Sequence, residues 1–320
     1  MYTSKPIWLL LVLVFAGWSC RKDVESFRPY SISVDAITAA LRQVPATQTT
    51  SVLALQNRQA DTLFVTPSGV RVFLQNLDGL FSNASGVVVP CSTCSDFKLE
   101  ITEVKSKGDL LARNANTITS TQEVLESGMT LYLKATCNGE ELKLTPGNLL
   151  KIQIPAEQPF FANRLFTCDA LLQETFPGWA GTNNSINTVE WALPGGSAVQ
   201  SGYQILTPSL HWLCAGRRLE EVSGSYCLEL PLGFSDQNTK AYMVFKSFHS
   251  VVPLQYDPTD FQFCTPAVPQ GFPIQLITIS KLGNQYWVAS KDSETGGNNS
   301  ATAKPFKMTE QQLIDFIRNL

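Results

Sequence analysis

The sequence predicts a mainly β protein of two or more β-sandwich-like domains, with a short helix near the N-terminus and another at the C-terminus. Three observations carry this. Apolar and polar residues alternate in many short segments, most strictly over Phe97-Lys98-Leu99-Glu100-Ile101-Thr102-Glu103-Val104; that is the period of a strand with one buried face. Turn signals rich in Gly, Pro and Asn separate these segments. Outside the leader, helical spacing occurs in two places, one near each end. Composition agrees: 44% hydrophobic residues are ample for packed cores, and 16% charged residues fall below the roughly 25% of typical soluble domains. The 320 residues suggest two or three domains.

The chain opens with Lys5, an unbroken apolar run over Ile7–Ala16, and Gly17-Trp18-Ser19-Cys20. A charged start, a short apolar middle and small residues before a cut make a signal peptide. The run is too short to span a bilayer, which takes roughly 20 residues. Cysteine at the expected cut resembles the lipobox of bacterial lipoproteins; Ser19 and Cys20 match it, while Gly17 and Trp18 depart from it. The resemblance implies that Cys20 is acylated and becomes the first mature residue. The polar stretch Arg21-Lys22-Asp23-Val24-Glu25 resembles the tethers of Bacteroidetes lipoproteins, which implies export to the outer face of the outer membrane. More than one acyl chain anchors a protein stably without a spanning helix.

Expected boundaries follow: residues 1–19 as signal peptide, 20–33 as lipidated cysteine and tether, 34–156 as a helix plus β-sandwich, 157–221 as an irregular or β middle region, and 222–320 as a C-terminal β domain with its closing helix. Val34, Ile37, Leu41 and Val44 have helical spacing, and Pro45 stops it. From there the period becomes two, through Val70–Leu74, Phe97–Val104, Met129–Thr136, Leu142–Leu144 and Leu149–Pro155. Asn138-Gly139 is a hairpin turn, because both residues tolerate positive φ. Further strands are expected over Cys227–Pro231, Ala241–Phe248, Ile274–Ser280 and Gln285–Ser290. Thr309 caps the last helix, with Gln312 completing a capping box.

Within this body, Ser68-Gly69-Val70, the alternating 99–104 segment, a Gly108-Asp109-Leu110-Leu111 turn, Ser127-Gly128-Met129, and Asn138-Gly139 followed by Leu142-Lys143-Leu144-Thr145-Pro146-Gly147 resemble a β-sandwich segment of Bacteroidetes lipoproteins, distantly similar to ZU5 domains. These are structural words, so the resemblance implies a fold rather than a reaction. His211-Trp212-Leu213-Cys214 with Arg217-Arg218 is loosely similar to a Trp-Ile-Asn-Cys-Asp-Arg element of the same group. The Asn and Asp are absent here, so no role transfers.

Candidate chemistry is sparse. Eight cysteines fit an exported, disulfide-permissive chain. With Cys20 lipidated seven remain, so at least one thiol stays free. Cys91-Ser92-Thr93-Cys94 is read first as a local disulfide between Cys91 and Cys94. Metal ranks second, because a lone CxxC is half a zinc site. A redox role lacks the helix N-terminus that activates the first thiol. Two histidines, His211 and His249, are available as bases, yet no G-x-S-x-G elbow surrounds a serine. Self-cleavage, as in ZU5-related domains, needs Ser or Thr two residues after His, where Leu213 and Val251 stand. His249 is expected at the surface of a strand end.

The carboxylate neighbours Glu140-Glu141, Glu220-Glu221 and Asp257 with Asp260 read as solvated turns. Trp179, Trp191 and Trp212 read as packing residues rather than ligand platforms. Net charge is −3, and with no basic cluster nucleic acid has no electrostatic support as a partner. No cofactor or metal is expected. The function expected is that of a non-catalytic binding or structural module of the cell envelope, lipid-anchored at the outer-membrane surface and facing an envelope protein or glycan. One alternative is a polysaccharide or cell-wall hydrolase using a carboxylate pair in a cleft. Another is a periplasm-facing accessory of an outer-membrane complex.

Overall fold

The computed structural model describes residues 32–45, 51–52, 61–157, 159, 164–172, 176–184, 186–193, 198–219, 223–297 and 299–320. The leader, Cys20, the tether as far as residue 31, and Glu220-Glu221 lie outside the described residues.

The protein is mainly β. One eight-stranded sheet contains β1 (Ser51–Val52), β4 (Phe81–Ser82), β5 (Phe97–Val104), β6 (Leu125–Cys137), β7 (Glu140–Leu144), β9 (Arg164–Cys168), β10 (Ala180–Gly181) and β13 (His211–Arg218). A five-stranded sheet, in the order β11-β12-β8-β3-β2, is built from β2 (Thr62–Val65), β3 (Arg71–Leu74), β8 (Leu150–Pro155), β11 (Ile186–Ala192) and β12 (Val199–Thr207). These two sheets enclose a core that includes Val72, Leu74, Leu99, Ile101, Leu131, Leu133, Ile152 and Ile205. That is a β-sandwich, with alternate residues of each strand turned inward.

The expected strands form where the alternation is clearest. Phe97 pairs with Cys137, and each residue of β5 faces one of β6 in unbroken register to Val104 and Thr130. Asn138 and Gly139 turn β6 into β7 with φ of 53° and 85°. The segment 157–221, expected to be irregular or β, supplies strands to both layers: β9, β10 and β13 extend the first sheet, while β11 and β12 complete the second. The sandwich therefore runs on to residue 218.

The third sheet follows the order β20-β14-β17-β16-β15-β18-β19-β21, from β14 (Ser223–Glu229), β15 (Thr239–Phe245), β16 (Val251–Asp257), β17 (Gln262–Pro269), β18 (Pro273–Leu282), β19 (Gln285–Glu294), β20 (Ser300–Thr302) and β21 (Phe306–Met308). It curls on itself: Tyr226 Oη of β14 hydrogen-bonds with Ser293 Oγ of β19 at 2.6 Å, and Lys291 Nζ donates to the Thr302 carbonyl at 2.8 Å. Tyr226, Leu228, Met243, Phe245, Phe263 and Leu276 fill its interior.

A third core joins sandwich and curled sheet. Tyr132, Phe166, Trp179 and Trp212 from the sandwich side meet Val244, Ile277, Ile279 and Val288 from the curled sheet. Three helices lie in this layer, α1 (Val34–Arg42), α3 (Lys107–Ala112) and α4 (Glu310–Arg318); the short α2 (Leu77–Leu80) packs on the sandwich core. The expected capping box of α4 is formed: Thr309 Oγ1 accepts from Gln312 N at 3.2 Å, and Gln312 Oε1 accepts from Thr309 N at 2.9 Å. The segment Gly108–Leu111, expected to be a turn, is helical within α3. A second capping box starts that helix, with Ser106 Oγ accepting from Asp109 N at 3.0 Å and Asp109 Oδ2 from Ser106 N at 3.1 Å. Gly108 is required there, because a Cβ on it would stand 1.9 Å from the Ile317 carbonyl oxygen of α4.

The local disulfide expected between Cys91 and Cys94 is not formed. Cys94 bonds to Cys137, with Cα atoms 5.4 Å apart. The physical reason is register: β5 starts at Phe97 opposite Cys137, so the chain entering β5 brings Cys94 beside the end of β6. Cys91 instead lies in a single 3₁₀ turn with its thiol in the sandwich core. A second disulfide joins the directly paired residues Cys227 and Cys264 of β14 and β17. Cys91, Cys168 and Cys214 are free and buried.

Candidate functional site

A cleft of about 490 Å³ lies where one end of the sandwich meets the curled sheet. Its size suits a small ligand. Sandwich residues come from the 66–70 turn, the end of β5 and the start of β6; the curled sheet contributes Ser247, Phe248 and His249 from the loop between β15 and β16.

Two carboxylates line it, Glu103 and Glu126. Glu103 is only 3% exposed. Its Oε1 accepts from Thr66 Oγ1 at 3.0 Å and from Ser68 Oγ, and its Oε2 pairs with Lys105 Nζ at 2.9 Å. Glu126 faces Arg217 directly across β6 and β13, with Oε2 accepting from Arg217 Nε at 2.6 Å. Each acid is therefore held by a cation of its own. Lys105 and Arg217 are about half exposed, where such pairs contribute roughly 1 kcal/mol or less; their consequence is to fix the carboxylates in place.

His249 occupies the curled-sheet side. It was expected at the surface, but its ring packs into the junction. Burial, aided by Lys107, pushes the imidazole down to about 4, against Asp109 and the carbonyls of Lys105 and Ser106 that accept from the ring. Its Nε2 is sealed from solvent without a hydrogen-bond partner among the described residues. The His249 carbonyl accepts from Ser127 N at 3.0 Å. Next to it, Ser250 Oγ and Thr117 Oγ1 lie 2.5 Å apart, Thr117 N donates to the Val251 carbonyl at 2.9 Å, and Val251 N donates to Thr117 Oγ1 at 2.8 Å. The cleft wall is thus a fixed seam between the two parts of the molecule.

The remaining residues singled out from sequence fall elsewhere. Trp179 and Trp212 are buried in the joining core, 6.5 Å apart edge to face, and Trp179 Nε1 donates to the Asn116 carbonyl at 2.7 Å. Trp191 lies across Gly202, where a Cβ would stand 2.7 Å from its ring, and Arg71 sits 5.8 Å from its centroid. None of the three lines the cleft. His211 is the first residue of the interior strand β13, with Nε2 2.7 Å from Glu141 Oε1 and Nδ1 3.0 Å from the Asp169 carbonyl. Asp257 and Asp260 belong to a turn closed by Thr259 N donating to Asp257 Oδ1 at 2.8 Å.

Among the described residues no group of three or more His, Cys, Asp or Glu side chains is arranged to hold a metal ion. Free thiols offer no nucleophile at the cleft: burial pushes Cys214 up to about 11 and, with Asp78 adding, Cys91 up to about 12. Neither Glu103 nor Glu126 was among the acids paired from sequence. Glu103 had a readable signal, because it continues the inward parity of Phe97, Leu99 and Ile101, and an acid at a buried register position demands partners.

No family model, curated protein or solved structure matches this chain.

Proposed function

We propose that this chain is a cell-envelope lipoprotein, held to the outer membrane by an acylated Cys20 and facing outward, that acts as a non-catalytic binding or structural module for an envelope protein or glycan. The observation that favours a non-catalytic reading is the state of the cleft. Glu103 and Glu126 are each tied to a separate cation and, for Glu103, to two hydroxyls. A glycosidase needs one carboxyl free to give a proton and a second free to attack or to activate water. The ZU5-like resemblance belongs to the same reading, since it implies a scaffold sandwich over roughly residues 61–155.

A second reading, a hydrolase of polysaccharide or cell wall, draws its support from the same cleft, which gathers two acids at neighbouring strands. Release of soluble sugar from cell-wall and polysaccharide substrates separates the two. The native chain is expected to retain no turnover above that of a Glu103→Gln/Glu126→Gln double variant. Turnover present in the native chain and lost in a folded double variant would replace the binding module with the hydrolase.

A further inference from the structure

The curled sheet has two rims. Its strands alternate direction, so the loop 230–238, the turn 258–261 and the turn 283–284 all lie on one rim, while the loop 246–250 that lines the cleft lies on the other. The chain enters the fold on the first rim: Ser33 N donates to the Gln237 carbonyl at 2.9 Å and Ser33 Oγ to the Lys281 carbonyl at 2.6 Å.

This rim also carries the three most exposed large apolar side chains among the described residues. Leu232 is 96% exposed, Ile32 75% and Phe261 64%. Single exposed apolar residues are ordinary, but three gathered on one rim, one from each of three separate segments, form a pattern. Phe261 adds a second anomaly, for its φ of 55° is a left-handed conformation that bulky side chains avoid, and the ring it presents is not used in packing the core.

We infer that this rim is a membrane-contact face, on which Leu232, Ile32 and Phe261 enter a lipid surface while the cleft points away from it. The inference rests on the reading of Cys20 as the lipid anchor. Its occupant is chosen by the place where the chain leaves the fold. The thirteen residue steps from Cys20 to Ser33 reach at most roughly 45 Å, and they start from this rim. Turning the opposite rim to the bilayer would use most of that reach in passing the length of the sheet, roughly 33 Å for the ten-residue β18. Charge fits the same lipid: Glu229, Asp236, Asp257 and Asp260 on or beside the rim are matched in number by Lys240, Lys281, Lys304 and Lys307, so the rim is near neutral and suits a zwitterionic headgroup.

The test uses the full acylated chain on phosphatidylcholine vesicles. Leu232→Cys, Phe261→Cys and, on the opposite rim, Ser247→Cys are each labelled with a polarity-sensitive dye; the three free thiols of the fold are buried, which keeps labelling selective. The inference expects a blue shift and quenching by lipid-borne quenchers at 232 and 261, and none at 247. A chain that floats with vesicles while all three dyes report water overturns the contact face and leaves the anchor standing. If neither the native chain nor Cys20→Ala floats, the anchor reading falls and the contact face with it. A shift at 232 and 261 without vesicles, growing with protein concentration, makes a second copy the occupant and overturns the lipid assignment.

Discussion

His249 links the cleft to the stability of the fold. Its folded-state value of about 4 lies below the roughly 6.5 of an unfolded chain. Between these limits the unfolded state binds the extra proton, so stability is intact above about pH 6.5, falls as the pH drops, and has lost its full share below about pH 4. The share is on the order of 3 kcal/mol. Chemical denaturation of native and His249→Gln chains from pH 7 to pH 4 should show a shallower decline in the variant. Parallel curves would mean that His249 is solvated. Cysteine pairing gives a second prediction. Removing the Cys94–Cys137 bridge, which closes a loop of 43 residues, is expected to cost about 4 kcal/mol. Peptide mapping should return Cys94–Cys137 and Cys227–Cys264 with Cys91 unpaired, whereas a Cys91–Cys94 peptide would contradict the structure. The CxxC spacing could not reveal this, because the partner is chosen by strand register 43 residues away.

At the scale of elements, legibility followed local pattern. The β5–β6–β7 meander was readable because strict alternation and Asn138-Gly139 point to the same structure. Strands β16 and β17 were not, since Pro253, Pro266 and Pro269 lie within them and proline reads as a strand breaker. In β12 the bare backbone of Gly202 accommodates the Trp191 ring and the Ile154 carbonyl, which removes the side chain that alternation would need. Helix α3 read as a turn because glycine is a poor helix former. Its glycine is a packing requirement against α4, and this is testable. Gly108→Ala, favourable in an isolated helix, is expected to destabilise the protein by about 2 kcal/mol or more through the clash with the Ile317 carbonyl. Asp109→Ala should cost roughly 1 kcal/mol by opening the capping box. A Gly108→Ala chain that melts at or above the native temperature would show that α3 and α4 do not approach this closely.

For the whole molecule, the arrangement has a direction. The chain enters on one rim of the curled sheet through Ser33, and the cleft with Glu103, Glu126 and His249 opens beside the other. A lipid anchor at Cys20 would hold the first rim near the bilayer and present the cleft outward, as a binding module at a cell surface requires. The fold class was readable because strand periodicity and turn chemistry recur along the chain; the cleft was not, because its walls come from segments more than a hundred residues apart. The measurement that bears most directly on the account is protease accessibility in intact cells, comparing the native chain with Cys20→Ala. The account predicts that the native protein fractionates with the outer membrane and is degraded without lysis, while the variant is released from the membrane. Protection of the native chain until lysis would contradict the outward orientation, and unchanged membrane association of Cys20→Ala would contradict the anchor.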